Sequence, residues 1–153
     1  MNKNVLITGA SGFIGTHLIR FLLQKNYNVI AVTRQAGRES DHLALHWVQK
    51  FEDISTRQID YVVNLVGANI GEKRWTESRK KQLIESRVNT TQKLYAWLNQ
   101  SQIFPEVIVS GSAIGYYGID AQEKWTEVCT EQSSPQPIFM SQLCQEWERA
   151  ALA

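Results

Sequence analysis

Gly9, Gly12 and Gly15 recur at three-residue spacing, and their surroundings decide what that spacing is for. Before them Val5, Leu6 and Ile7 form an apolar, partly β-branched run of the kind that makes a buried parallel strand. After them Ile14, Leu18, Phe21 and Leu22 recur at helical spacing. Glycines between a strand and a helix are the setting of a dinucleotide phosphate loop. Gly9 suits the tight turn off the strand. Gly12 lets the backbone approach a pyrophosphate that a Cβ would hold away, and Gly15 lets the helix pack close to the sheet. The free N–H groups and the dipole at the helix N-terminus favour the anion. Gly9, Ser11, Gly12, Phe13, Ile14 and Gly15 are therefore the candidate phosphate-side contacts. A bare turn would account for three glycines, but not for the strand before them and the helix after.

A second strand, Asn28 to Val32, ends in Thr33 and Arg34. In such a nucleotide fold this end lies beside the adenosine ribose, where an NAD enzyme usually carries an acid to accept from the 2′-hydroxyl. Here the first acid is Glu39, and Arg38 follows Arg34 closely. A carboxylate would repel a 2′-phosphate, whereas a guanidinium can grip it with two donors. Thr33 and Arg34 thus point to NADP rather than NAD. A solvated arginine at a strand end is the plainer alternative.

The elements that position these residues follow in order. Residues 35 to 44 read as a loop, and Leu45 to Val48 as a short third strand. Asp60 to Asn69 is a fourth strand and its exit, with Gly67 and Ala68 small where the chain would pass close to a ligand. Thr76 is a plausible N-cap for a long helix over 77–99. Leu83, Ile84, Val88, Leu94, Tyr95 and Leu98 form its stripe. The Arg79-Lys80-Lys81 run reads as a solvated face. Trp75 suits either a pocket mouth or helix packing. Pro105 to Gly118 is a fifth strand and its exit, and a last helix is expected from Ile138 to Ala153.

With 153 residues the chain has room for one domain with a real core, and 43% hydrophobic against 20% charged residues fits a soluble globule. A net charge of +1 gives no global pull toward nucleic acid or membrane. No apolar run approaches a membrane span, and the first strand begins without a signal peptide, so a cytoplasmic protein is expected. Cys129 and Cys144 suggest neither a disulfide framework nor a metal site, and His17, His42 and His46 are isolated.

Thr8-Gly-Ala-Ser-Gly-Phe-Ile-Gly15 resembles the extended branch of the short-chain dehydrogenase/reductase superfamily. The resemblance implies an α/β fold: an NAD(P)-binding, Rossmann-like, doubly wound sheet, mainly parallel, with at least five strands. It assigns Leu65, Val66 and Gly67 to the adenine and ribose side of the cofactor. Ser86-Arg-Val-Asn-Thr-Thr91 is similar to the superfamily's Asn-x-x-Gly-Thr helix, which puts Arg87 within reach of the cofactor phosphates or ribose. Ser110-Gly-Ser-Ala-Ile-Gly-Tyr-Tyr-Gly118 resembles its Ser-Ser-x-x-x-Tyr-Gly segment with one extra residue. Ser112 falls at the catalytic Ser/Thr, and Tyr116 or Tyr117 is the nearby phenol.

One part of the pattern is missing. The superfamily's proton chemistry rests on Tyr-x-x-x-Lys, in which the lysine lowers the tyrosine pKa. Here Phe139 and Leu143 stand at those positions, and a one-residue slip gives Met140 and Cys144. That loss, together with Val66-Gly-Ala-Asn-Ile-Gly-Glu-Lys-Arg-Trp75 and Cys144-Gln-Glu-Trp-Glu148, resembles the atypical "epimerase family" proteins of bacteria and mitochondria, named as nucleoside-diphosphate-sugar epimerases. The resemblance runs from residue 3 to 153. Members are about twice this length and carry a C-terminal substrate region, so an uncovered apolar sheet edge is expected here. The implied activity is NADP-dependent redox or epimerase chemistry on a small, sugar-like substrate. A non-catalytic NADP(H) sensor is the alternative.

Overall fold

The computed structural model describes residues 2–56, 58–119 and 128–152. Among the described residues there are five short strands, β1 (Asn4–Thr8), β2 (Asn28–Val32), β3 (Leu45–Val48), β4 (Tyr61–Asn64) and β5 (Val107–Ser110), with helices between them except from β2 to β3. They form one parallel sheet in the order β3-β2-β1-β4-β5. The chain leaves β1 in one direction to build β2 and β3 and returns to its other side for β4 and β5. Such a reversal opens a crevice at the carboxyl ends of the strands.

Each face of the sheet has its own core. Leu6, Ile30 and Val62 point to the side of α2 (Glu77–Gln100), where Leu94, Trp97, Leu98 and Phe51 close over them. Val5, Ile7, Val29 and Ala31 point to the side of α1 (Phe13–Gln24). Burial on both faces is why these strands read as continuous apolar runs rather than alternating ones.

Capping chemistry bounds the helices. The Thr76 hydroxyl accepts the Arg79 N–H at 3.2 Å and starts α2. Helices α1 and α2 end alike: Asn26 (φ 62°) and Gln102 (φ 54°) turn left-handed. The next N–H groups, of Tyr27 and Ile103, then reach back to the Leu22 and Leu98 carbonyls.

Three periodicity readings shift. In α1 the buried residues are Gly15 and Ile19, with Leu18, Leu22 and Leu23 packed beside them, while Ile14 and Phe21 are exposed. The buried stripe of α2 runs through Arg79, Leu83, Arg87, Thr91, Leu94 and Leu98, so Arg79 is not on a solvated face. Its guanidinium bonds Asn69 O at 2.6 Å, Gln82 Oε1 at 2.6 Å and Glu72 Oε2 at 3.1 Å. Asn69 and Glu72 sit in an irregular loop, which periodicity cannot see. The last helix, α3 (Phe139–Leu152), begins one residue later than expected; Ala153, its expected end, lies outside the described residues.

Candidate functional site

Three strand exits converge at the reversal point. The β1 exit turns at Gly9, whose φ of 67° is left-handed and whose missing Cβ is required twice over: one built there would stand 2.4 Å from Leu65 O. Gly15 is equally constrained, since its Cβ would meet Gly9 O at 2.6 Å and Ala10 O at 2.7 Å. Its close contact is with the turn itself rather than with the sheet. Gly12 differs. A Cβ there would have only Gly9 O within 4 Å, at 3.2 Å. Glycine at 12 is thus far less constrained by the fold than at 9 or 15, and the space above it could take a phosphate group. Gly12 also caps α1 without a side-chain hydrogen bond, so no cap side chain takes up its first-turn N–H groups.

Beneath the loop lies a buried polar knot. Thr8 Oγ1 donates to Asn64 Oδ1 at 2.5 Å, and Asn64 Nδ2 donates to Thr91 Oγ1 at 2.8 Å and Ser110 Oγ at 3.0 Å. It ties the ends of β1, β4 and β5 to α2. Buried and satisfied, such a network fixes the strand ends relative to one another. At the β2 exit Thr33 is buried, donates to Ser11 Oγ at 3.3 Å and accepts the Gln35 N–H at 3.2 Å.

A cleft of about 820 Å³ opens over these exits. Gly9, Ser11, Gly12, Thr33, Arg34, Leu65, Val66 and Gly67 line it together. Phe13 and Ile14 do not; their side chains are exposed outside the cleft, at 84% and 63%, which leaves only their backbone for an anion. Gly15 packs behind the loop, and Arg87 is likewise not a lining residue. Sequence reasoning missed the far wall: Gln49, Lys50, Phe51 and Glu52 after β3, and Ser86, Thr90, Lys93 and Trp97 along α2. The α2 set repeats every three or four residues, a face that the spacing alone could have shown.

Arg87 is buried, and burial lowers its pKa. It donates to Ala68 O and Leu83 O, both at 3.1 Å, and its Cζ lies 5.2 Å from the Trp147 ring centroid. Gly67 is therefore small for an internal reason, since a Cβ there would come within 2.7 Å of Arg87 Cζ.

The expected chemical residues gather elsewhere, at the β5 exit. Ser112 is exposed and donates to the Glu148 carboxylate of α3. Tyr116 and Tyr117 meet edge to face at 5.3 Å. Desolvation, then the nearby Glu131, raises the Tyr117 phenol above its ordinary pKa. Ser141 Oγ bonds Gly115 O at 3.2 Å, docking this segment on α3. Phe139 packs edge to face on Trp75 at 5.5 Å, and Leu143 is 1% exposed. Neither Ser112 nor Tyr116 lines the cleft. Among the described residues no cluster of three or more metal-ligating side chains is present, and no helix is long and apolar enough to cross a membrane.

A five-stranded parallel sheet wound in both directions, with a glycine loop and helix N-terminus at its reversal point, defines a Rossmann-like α/β nucleotide-binding domain. Residues 5–151 match the model of the NAD dependent epimerase/dehydratase family, and the chain belongs to that family. It is 35% identical over 152 residues to the epimerase family protein SSP1921 of Staphylococcus saprophyticus, covering 97% of this chain and 49% of that protein. Human epimerase family protein SDR39U1 (isoform 2), solved with NADPH, superposes with a TM-score of 0.79 at 30% identity, over 97% of this chain and 48% of that one. MoeE5, solved with UDP-glucuronic acid and NAD, superposes at 0.75 with 28% identity over the same shares. The chain thus spans about half the length of these relatives.

Proposed function

We propose that this chain is the NADP(H)-binding part of an atypical short-chain dehydrogenase/reductase acting as an oxidoreductase or nucleoside-diphosphate-sugar epimerase in the cytoplasm. The observation that carries the reading is the cleft itself. Gly12 and Arg34 both line it. The α1 N-terminus would hold the pyrophosphate. Thr33 and Arg34 would hold the 2′-phosphate, and Leu65, Val66 and Gly67 would cover the adenosine.

When bound, the cofactor supplies or accepts hydride. The chain's own part is to orient it, and to polarise a substrate oxygen through Ser112 with Tyr116 packed beside the reacting centre. Ser112 must exchange its bond to Glu148 for one to substrate. The substrate class, a small sugar-like alcohol or carbonyl, is supported by the sugar nucleotide bound to MoeE5. A second reading, an NADP(H) sensor without turnover, is favoured by Phe139 and Leu143 standing where the acid pair would be.

Calorimetry with NADPH and NADH tests the binding reading: NADPH should bind the tighter of the two, and absence of both would end it. Deuteride transfer from labelled NADPH to a panel of carbonyls separates the readings, since a sensor transfers none.

A further inference from the structure

Two buried arginines of α2 hold the loop that leaves β4. Arg87 Nη2 donates to Ala68 O at 3.1 Å, and Arg79 Nη2 donates to the next carbonyl, Asn69 O, at 2.6 Å. The two lie on one buried stripe of the helix. Between those carbonyls and the strand, the Ala68 N–H is taken by Ser86 Oγ at 3.0 Å. Gly67 rests on the Arg87 guanidinium itself. A Cβ there would stand 2.7 Å from Cζ, 2.9 Å from Nη2 and 3.0 Å from Nε, near-equal distances that put it over the plane. Trp147 of α3 stacks on the same group.

The guanidinium is thus committed to the β4 exit and to α3, while its neighbours Leu65, Val66 and Gly67 line the cleft and it does not. A lysine could not do this. It lacks the fork that donates to two carbonyls and the flat face that accepts a glycine and an indole.

We infer that Arg87 is a positioning residue: it fixes the β4-exit wall of the cleft and couples that wall to α3 through Trp147, instead of contacting the cofactor phosphates. Arg79 holds the following carbonyl of the same loop. The inference rests on the reading of the cleft as a nicotinamide-dinucleotide site.

The test uses the full chain with Arg87→Met, Arg87→Lys and Gly67→Ala, and calorimetry with NADPH, NADH and adenosine 2′-monophosphate. The last probe has no pyrophosphate. A displaced wall should weaken all three by a similar factor, about tenfold for one lost charge-assisted bond. Gly67→Ala, which keeps the arginine but pushes it aside, should reproduce the loss, and combining it with Arg87→Met should add little. Lysine should not rescue. A loss confined to the two dinucleotides would make Arg87 a pyrophosphate ligand and overturn the inference, as would unchanged affinity for all three. Hydrogen exchange of the ligand-free protein supplies a readout that needs no cofactor. Amides 65–69 should exchange faster in Arg87→Met and Gly67→Ala while β1 and β2 stay protected. Unchanged exchange there overturns the clamp even if wild type binds no dinucleotide, an outcome that would separately end the cofactor reading. Should Arg87→Met fail to fold, Gly67→Ala and Arg87→Lys carry both measurements.

Discussion

The two sides of β1 are built differently. Toward β2, Val29, Ile30 and Ala31 are at most 4% exposed, and the β2 exit gives Thr33 and Arg34 to a cleft that also reaches the β4 exit. Toward β5, Val107 and Val109 are 51% and 54% exposed, matching the uncovered apolar edge expected from the sequence. There the group expected to polarise substrate, Ser112, is bonded to Glu148 outside the cleft. The difference separates holding a dinucleotide from acting on a substrate. The first needs only local turns and one crevice. The second needs side chains from several elements, and Phe139 and Leu143 of α3, which the resemblance sets at the positions of the proton-transfer pair, pack as apolar side chains.

Leu143→Lys should have the largest effect. Leu143 is 1% exposed, so the change buries an ammonium, at a cost of about 3–5 kcal/mol by analogy with an uncompensated buried charge. Phe139→Tyr with Leu143→Lys is therefore no simple restoration of a catalytic pair. Chemical denaturation decides the matter. A double variant as stable as wild type would show that the α3 flank adapts as readily as the cleft side does not.

Gly12→Val should come next. Its backbone (φ −77°, ψ 176°) accepts valine, and the new Cβ meets only Gly9 O, at 3.2 Å. Melting temperature should stay within a few degrees while NADPH affinity falls about a hundredfold or more, since the side chain fills the phosphate space. Gly9→Val is the contrast, because it should unfold the loop. Equal behaviour of the two variants would erase the distinction drawn between a structural and a ligand-facing glycine.

Arg34→Ala should lower NADPH affinity about ten- to a hundredfold and leave NADH nearly unchanged, the worth of a bidentate charge-assisted contact. Equal losses for both would remove Arg34 as the reader of the 2′-phosphate.

A matched pair sharpens the comparison at smaller scale. Val62→Ala, at 0% exposure, should cost about 1.5–3 kcal/mol, whereas Val109→Ala should stay within about 0.5 kcal/mol. A large cost at Val109 would mean that this face is covered in solution.

The smallest effect is a pH dependence. Burial raises the Cys144 thiol above its ordinary value, so the folded state favours the neutral form. That contribution is fully present below the unfolded thiol pKa, about 8.5, and is lost as pH rises through it toward the folded value, by at most about 1.4 kcal/mol per pH unit. Denaturation of wild type and Cys144→Ala from pH 7 to 10 checks it. A difference that stays flat with pH would sink the idea.

What the sequence determined by itself is what local chain chemistry controls. Apolar runs specified the five strands, the glycine spacing specified the turn into α1, and Thr76 specified the start of α2, because strands, turns and caps depend on neighbours a few residues away. The spacing gave glycine at 9, 12 and 15 three separate roles, yet only the folded chain showed that Gly15 packs on the turn itself and not on the sheet. Arg79 and Arg87 read as surface or ligand-facing cations because charge is usually solvated. Their burial was decided by carbonyls of the β4-exit loop, ten and nineteen residues away, and by an indole on another helix. The far wall of the cleft and the pairing of Ser112 with Glu148 were decided in the same way. Each joins residues distant in sequence, and no periodicity records a contact that exists only once the sheet has brought its strand ends together.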